Sequence, residues 1–242
     1  MGSIADNLQA VKARIAAAER AAGREPGAVT LLAVSKTHGP ALIEAACGAG
    51  QRAFGENYVQ EALQKMDALA GLPLEWHLIG PLQSNKTRAS AERFDWVHTV
   101  DREKLARRLA EQRPAGKAAL NVLLQVNASA EASKSGVAPA GVAALAESVA
   151  ALRGLRLRGL MAIPEPGAPP SRFREIAELF EGLRGRFGLD TLSLGMSDDM
   201  EQAIAAGSTL VRVGTAIFGQ RHREQDAAGR SPSAAAATWR AR

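Results

Sequence analysis

The amino-acid sequence predicts a single (β/α)₈ TIM barrel, and three observations support this fold. Eight short apolar runs alternate with longer amphipathic segments over about 220 residues, which is the element count of such a barrel. Several of these runs are almost continuously apolar, as expected for parallel strands buried on both faces. The turn after the first strand, VSKTHGP, lacks the G-x-G-x-x-G pattern that is typical of a doubly wound open sheet, the second-best prediction.

The predicted elements fill the chain from residue 1 to residue 220. The first segment has apolar residues at helical spacing and is predicted to be an amphipathic helix. Eight strands follow, separated by helix-like segments such as VQEALQKMDALAG and SRFREIAELFEGLRGRFG. The predicted strands are VTLLAVS near Leu32, RAFGE near Phe54, EWHLIG near Leu78, DWVHTV near Val97, ALNVLLQVN near Leu124, LRLRGLMAI near Leu160, TLSLGM near Leu194 and TLVRVG near Val211. No space is left for a second domain of any size.

Residues 221–242 are predicted to form a disordered basic tail, because they contain few periodic apolar residues. Five arginines against Glu224 and Asp226 give this segment +3 of the formal net charge of +5. The other arginines are scattered along helical segments, without aromatic interleaving or a DNA-binding or RNA-binding signature. The basic balance therefore does not indicate a nucleic-acid partner.

The composition predicts a soluble cytoplasmic protein with no membrane partner. No apolar run approaches the roughly 20 residues that a membrane span needs, and the helical spacing at the N-terminus is not that of a signal peptide. Cys47 is the only cysteine, which excludes an intramolecular disulfide and a cysteine-only metal site. It lies in the alanine-rich stretch ALIEAACGAG and is interpreted as a buried small side chain rather than a catalytic thiol.

Lys36 is the candidate nucleophile, because it closely follows the apolar run LLAV of the first strand. The carboxyl ends of the strands form the active site in barrels of this kind. A lysine that is partly shielded there favours the neutral amine, which is the form that attacks an aldehyde. The alternatives are a solvated loop lysine and a lysine that pairs with a carboxylate inside the barrel.

Two segments near the end of the barrel predict a phosphate site. TIM barrels often bind phosphate with the loops after strands seven and eight. GMSDDMEQAI places Ser197 and Asp198 at a helix start, with Asp198 and Glu201 spaced like a capping box. VRVGTAIFG then provides Gly214 and Thr215, where a glycine lets the backbone approach an anion closely. Ordinary helix capping and a tight turn are the structural alternatives.

Arg212 is expected to point into the barrel, because it lies between two valines of the eighth strand. A guanidinium only donates hydrogen bonds, so a ring nitrogen that faces it must be an unprotonated acceptor. If the ligand contains a pyridine ring, an arginine at the ring nitrogen makes that ring a weaker electron sink than a carboxylate there would. An arginine paired with a carboxylate inside the barrel is the structural alternative.

The motifs AVSKT, FGENYVQE, WHLIGPLQSNK, HTVD, QVNASAEASKSG, RGLMAI, LSLGMSDDMEQAI and GSTLVRVGTAIFG run in this order through nearly the whole chain before the tail. In these motifs the sequence resembles the YggS/PROSC family of proteins that bind pyridoxal 5′-phosphate (PLP), also called PLP homeostasis proteins. The resemblance implies a TIM barrel similar to the N-terminal domain of alanine racemase, a fold type III PLP protein. Two short departures, His38-Gly39-Pro40 and Ile163-Pro164-Glu165, lie beyond the expected ligand contacts.

The resemblance also implies a role for each site residue. Lys36 would hold PLP covalently as a Schiff base, and Arg212 would face the pyridine nitrogen. Ser197, Gly214 and Thr215, with the backbone of Met196, would hold the phosphate. The residues implied to line the pocket around the ring are Asn57, His77, Asn127 and Met161.

Two functions of different class follow from the resemblance. A non-catalytic carrier would bind and buffer PLP for vitamin B6 balance and deliver it, with PLP-dependent apo-enzymes as candidate partners. The alternative is a fold type III amino-acid racemase or decarboxylase. Alanine racemase uses a tyrosine from a separate C-terminal domain of its partner subunit as second acid/base, whereas the only tyrosine here is Tyr58. The carrier, as a monomer without catalytic residues, is therefore favoured over the enzyme. A Schiff-base aldolase that uses Lys36 without a cofactor is a remote alternative, because it does not explain the motif match.

Overall fold

The computed structural model describes residues 2–129 and 135–220, and the eight strands form a closed parallel barrel in sequential order. The strands are β1 (Thr30–Val34), β2 (Ala53–Glu56), β3 (Glu75–Leu78), β4 (Trp96–Val100), β5 (Leu120–Val126), β6 (Leu155–Ala162), β7 (Thr191–Ser193) and β8 (Leu210–Val213). β8 closes the barrel by pairing with β1, with Leu32 opposite Arg212. The prediction of a TIM barrel is confirmed.

Helices alternate with the strands and form the outer layer. They are α1 (Ile4–Ala21), α2 (Pro40–Gly48), α3 (Val59–Ala68), α4 (Thr87–Arg93), α5 (Glu103–Gln112), α6 (Val142–Ala150), α7 (Pro170–Phe187), α8 (Met200–Ala206) and α9 (Thr215–Phe218). Ser3 caps α1 in a capping box with Asp6. α1 packs against α2, α8 and α9 and so completes the outer layer of helices.

The main hydrophobic core lies between the sheet and the helices. Inside the barrel, two small apolar clusters fill part of the space: Leu32, Ala53 and Leu210 form one, and Trp96, Leu123 and Met161 form the other. The remaining interior is polar and includes the buried side chains of His77, His98, Ser193 and Arg212. A polar interior of this kind requires internal hydrogen bonds, because an unpaired buried polar group destabilises the fold.

Several further expectations concern the chain as a whole. Cys47 is buried, as its alanine-rich surroundings predict. Within the part of the chain that the structure describes, no helix combines the length and hydrophobicity of a bilayer span. The predicted tail, 221–242, and the middle of the QVNASAEASKSG motif, 130–134, lie outside the described residues.

Candidate functional site

A cavity of about 510 Å³ opens at the carboxyl ends of the strands. Seven of the ten predicted site residues line it: Lys36, Asn57, Met196, Ser197, Arg212, Gly214 and Thr215. The other lining residues are Val34, His38, Ile79, Ile163, Asp198 and Gln220. The cavity therefore brings the candidate nucleophile, the buried arginine and both predicted phosphate segments into one site.

Lys36 lies in the turn after β1 and is partly buried. The next residue, Thr37, has a φ of 66°, the left-handed conformation that a β-branched residue rarely adopts. Its backbone N–H donates to Glu61 at 2.6 Å, which holds the turn in place. On the other side of Lys36, the Ser35 carbonyl accepts from the buried Lys65 ammonium at 2.8 Å. Lys36 is thus held between two anchored backbone positions.

Arg212 enters the cavity from inside the barrel, as predicted, and is only 4 % exposed. Within the described residues, its guanidinium donates to the carbonyls of Ser193 and Ala162 and to the Ser193 hydroxyl, at 2.7–3.0 Å. Burial lowers the pKa of Arg212 to about 10, with an opposing contribution from Asp199. Arg212 therefore stays charged at neutral pH.

The phosphate segments lie beside this arginine. Gly195, two residues after β7, has a φ of 96° and turns the chain so that Met196 and Ser197 border the cavity. Gly214 follows β8, and a Cβ there would lie 3.1 Å from the Val34 carbonyl oxygen, between two segments that line the cavity. A glycine therefore lets the chain after β8 approach Val34 closely.

The predicted capping box of Asp198 and Glu201 is wrong. α8 begins at Met200, its N-cap is Asp199, and no side chain caps it. The Asp199 carboxylate instead accepts from the Met196 N–H at 2.5 Å, and Glu201 pairs with Arg14. Asp199, the residue after the predicted Asp198, therefore stabilises the loop that carries Ser197.

His77, one of the predicted ring contacts, lies one layer deeper in the barrel than the residues that line the Lys36 cavity. It is in β3, and its ring bonds to Glu75 and His98 instead of bordering the Lys36 cavity. Ile79, two residues further on the same face, is the β3-side residue that reaches the cavity.

Met161 and Asn127 also lie outside the lining of the Lys36 cavity. Met161 is fully buried against Trp96 and Leu123. Ile163, two residues further along the chain, lines the cavity where Met161 was expected. Asn127 borders two smaller pockets beyond β5, where it accepts from Ser129. Side chains alternate between the two faces of a strand. Extending this alternation one residue beyond the ends of β3 and β6 would have identified Ile79 and Ile163.

The residues present fit PLP by their chemistry. The cavity has a primary amine for an aldehyde, a charged donor for a ring nitrogen, and hydroxyls of Ser197 and Thr215 for a phosphate. Lys36 and Arg212 together outweigh the single carboxylate of Asp198 along its wall, which suits an anionic ligand.

Comparisons with known proteins agree with this fold. The family described as alanine racemase, N-terminal domain, matches residues 7–222. A pyridoxal phosphate homeostasis protein of Pseudomonas aeruginosa is 60 % identical over 225 residues, which cover 91 % of this chain and 97 % of the relative. The homeostasis protein of Escherichia coli is 56 % identical over 229 residues, which cover 91 % of this chain and 98 % of the relative.

Solved structures extend the comparison. PipY of Synechococcus elongatus with PLP bound has a TM-score of 0.77 and 37 % identity, covering 90 % of this chain and 100 % of PipY. Alanine racemase of Corynebacterium glutamicum shares the fold, with a TM-score of 0.62 and 18 % identity over 92 % of this chain and 61 % of the racemase chain. The chain belongs to the family of pyridoxal phosphate homeostasis proteins, which is built on the barrel of the alanine racemase N-terminal domain.

Proposed function

We propose that this protein binds PLP in the Lys36 cavity and acts in PLP homeostasis as a carrier rather than an enzyme. The observation that carries the proposal is that Lys36, Arg212 and the two phosphate segments border one cavity of about 510 Å³. PLP, when bound, supplies an aldehyde for an amine and a pyridine ring for electron withdrawal. The proposal rests also on relatives of 56–60 % identity that are named for PLP homeostasis.

Lys36 is proposed to hold the cofactor covalently. The Lys36 Nζ, in its neutral form, would supply the amine that joins the aldehyde carbon of PLP, with loss of water. The anchors of Ser35 and Thr37 hold the Lys36 backbone at the cavity wall before the ligand arrives. The reaction needs no oxidant or reductant, and water reverses it.

Arg212 is proposed to donate to the pyridine nitrogen. Because the guanidinium carries a charge and has no acceptor, the nitrogen stays unprotonated. An unprotonated ring withdraws electrons weakly, which suits a protein that stores PLP. Ser197, Thr215 and the backbone of Gly214 are proposed to bind the phosphate, with Met196 beside them. Asn57 borders the same cavity and is proposed to contact the ring.

The racemase or decarboxylase alternative needs a second acid/base opposite the lysine. Tyr58, the only tyrosine, is 60 % exposed and is not among the residues that line the cavity. We therefore assign no catalytic residue.

Tyr58, Ile163 and Met196 are the exposed large hydrophobic side chains of the described residues, and the last two border the cavity mouth. We infer that PLP-dependent apo-enzymes receive the cofactor here from a cytoplasmic monomer.

The proposal is tested by adding PLP to the purified protein, reducing with borohydride and measuring the intact mass. We expect a visible Schiff-base absorption band and one covalent PLP adduct on Lys36. Lys36→Ala should lose both, whereas Lys104→Ala, an exposed lysine on α5, should keep both. A Lys36→Ala protein with the same band would overturn the assignment of Lys36. Turnover of L- or D-amino acids at ordinary enzymatic rates would overturn the carrier function.

A further inference from the structure

A continuous chain of polar side chains crosses the barrel interior from Arg212 to Glu75. Arg212 Nη1 lies 2.7 Å from Ser193 Oγ, which lies 3.2 Å from His98 Nδ1. His98 Nε2 lies 2.9 Å from His77 Nδ1, and His77 Nε2 lies 2.7 Å from Glu75 Oε1. The four residues from Arg212 to His77 are buried, whereas the Glu75 side chain is 49 % exposed.

The chain joins the two ends of the barrel. Arg212 borders the cavity at the carboxyl ends of the strands. Glu75 is the first residue of β3 and borders a second cavity, of about 650 Å³, at the amino ends of the strands. The route passes through strands β8, β7, β4 and β3. Hydrogen bonds therefore connect this second cavity to Arg212, the residue that would face the cofactor.

The carboxylate end of the chain fixes its direction, and the guanidinium end agrees with it. A guanidinium can only donate, so Ser193 Oγ accepts from Arg212, and its own proton remains available to donate to His98 Nδ1. At the other end, the pKa of Glu75 is lowered, chiefly by its hydrogen bond to His77. An ionised carboxylate can only accept, so His77 Nε2 must carry the proton.

The histidines between these ends are neutral. Burial lowers the pKa of His77, although Glu75 and Asp95 oppose this. Burial lowers the pKa of His98 well below its usual value, and His77 and Arg212 lower it further. Each ring therefore has one proton. The Glu75 carboxylate places that of His77 on Nε2, so His77 Nδ1 accepts and the proton of His98 is also on Nε2. Every donor then points from Arg212 towards Glu75.

We propose that Ser193, His98 and His77 are positioning residues that orient the Arg212 guanidinium for the cofactor, through a one-way hydrogen-bond chain ending at the Glu75 carboxylate. The proposal rests on the proposed function for its consequence at the cofactor, but the geometry of the chain is independent of it. Dipoles aligned in one direction reinforce one another when they are buried away from water. Glu75 is thereby the terminal acceptor of the chain that begins at Arg212.

The direction of the chain is tested first by ¹⁵N NMR of the imidazole rings, in protein free of PLP at neutral pH. We expect His77 and His98 each to be the neutral tautomer protonated on Nε2. An Nδ1-protonated tautomer or an imidazolium at either position would overturn the proposal. This result does not depend on whether PLP binds, so it separates failure of the chain from failure of the proposed function.

Coupling along the chain is tested with Glu75→Gln, which replaces the obligate acceptor by an amide that can also donate. We expect the ¹⁵N shifts of His98 to change, although His98 does not touch Glu75. The matched control is Glu181→Gln. Glu181 borders the same cavity at the amino ends of the strands, but it pairs with Arg184 and is not part of the hydrogen-bond chain. Unchanged His98 shifts in Glu75→Gln, or equal changes in both variants, would overturn the coupling.

The effect on the cofactor is tested with Ser193→Ala, which removes the link next to Arg212. We expect the Kd for PLP to rise about tenfold, which corresponds to about 1.4 kcal/mol, with a shifted absorption band of the bound cofactor. Ser193→Thr keeps the hydroxyl and should restore most of the affinity. An unchanged Kd and band in a folded Ser193→Ala protein would overturn the positioning role.

Discussion

Lys65 and Glu56 form an ion pair of 2.7 Å inside the protein, with both side chains at most 5 % exposed. The Lys65 ammonium also donates to the Ser35 carbonyl and to Glu61, and the Ser35 hydroxyl donates to Glu56 at 2.6 Å. Glu61 in turn accepts from the backbone after Lys36. One buried cation therefore fixes both sides of the turn that carries the proposed cofactor lysine.

Lys65→Met is expected to lower the free energy of unfolding by about 3 kcal/mol, because it leaves the Glu56 carboxylate buried without its countercharge. Lys65→Met combined with Glu56→Gln should recover most of this loss, since no buried charge is then left unpaired. Urea denaturation measures both. Lys104→Met on the surface of α5 is the control and should change stability by less than about 0.5 kcal/mol. Equal losses in the single and double variants would contradict the ion-pair explanation.

Thr37→Gly is expected to stabilise the protein by about 1 kcal/mol. A β-branched residue at a φ of 66° is strained, and glycine adopts this conformation freely. The donor to Glu61 is a backbone N–H, so it survives the substitution. Thr30→Gly, at the exposed start of β1, is the contrast and should destabilise. A loss of stability in Thr37→Gly as large as that in Thr30→Gly would show that the turn carries no strain.

The sequence predicts the barrel and the central pair of the site well. Eight apolar runs identify the strands, and the position of Lys36 after the first run is sufficient to place it at the functional end. Alternation along β8 correctly predicts that Arg212 points inward, between Val211 and Val213. These predictions succeed because they depend only on local periodicity and on the polarity of a parallel barrel.

The height of a residue along the barrel axis is harder to predict. His77 and Met161 point inward, but each lies one layer below the cavity residue that follows it by two positions. Periodicity gives the face on which a side chain lies but not its layer, because strand tilt and stagger set the layer. The contact between His98 and Ser193 is also beyond local sequence patterns, since 95 positions separate the two residues.

Gly80→Ala is expected to destabilise the protein by about 3 kcal/mol and to weaken PLP binding. A Cβ at Gly80 would lie 2.1 Å from the Asn57 carbonyl oxygen. The clash is with backbone, so the segment that carries Asn57 into the cavity must move. Gly71→Ala is the matched control, since a Cβ there has no neighbour within 4 Å. Urea denaturation and PLP titration measure the two effects, and a Gly80→Ala protein as stable as Gly71→Ala would contradict the close approach.

His77 and His98 are expected to make the protein less stable as the pH falls below about 6.5. Burial lowers both pKa values in the folded state, so between the unfolded and the folded pKa the unfolded chain binds more protons. The free energy of unfolding then falls with falling pH, by up to about 1.4 kcal/mol per pH unit for each histidine. The charged neighbours that act on these pKa values are Glu75, Asp95 and Arg212.

Glu56 acts in the opposite direction and has to be removed before the histidine effect is measured. Burial raises its pKa, with Lys65 opposing, so the folded state takes up this proton at a higher pH than the unfolded state. Its contribution therefore increases stability as the pH falls through the folded pKa. Glu56→Gln keeps an acceptor for Lys65 and removes this titration. In that background we expect urea denaturation from pH 8 to pH 5 to give a stability that declines below about 6.5, and His98→Asn should reduce the slope by about half, because only His77 then contributes. A slope that His98→Asn leaves unchanged would show that His98 does not titrate as a buried neutral ring.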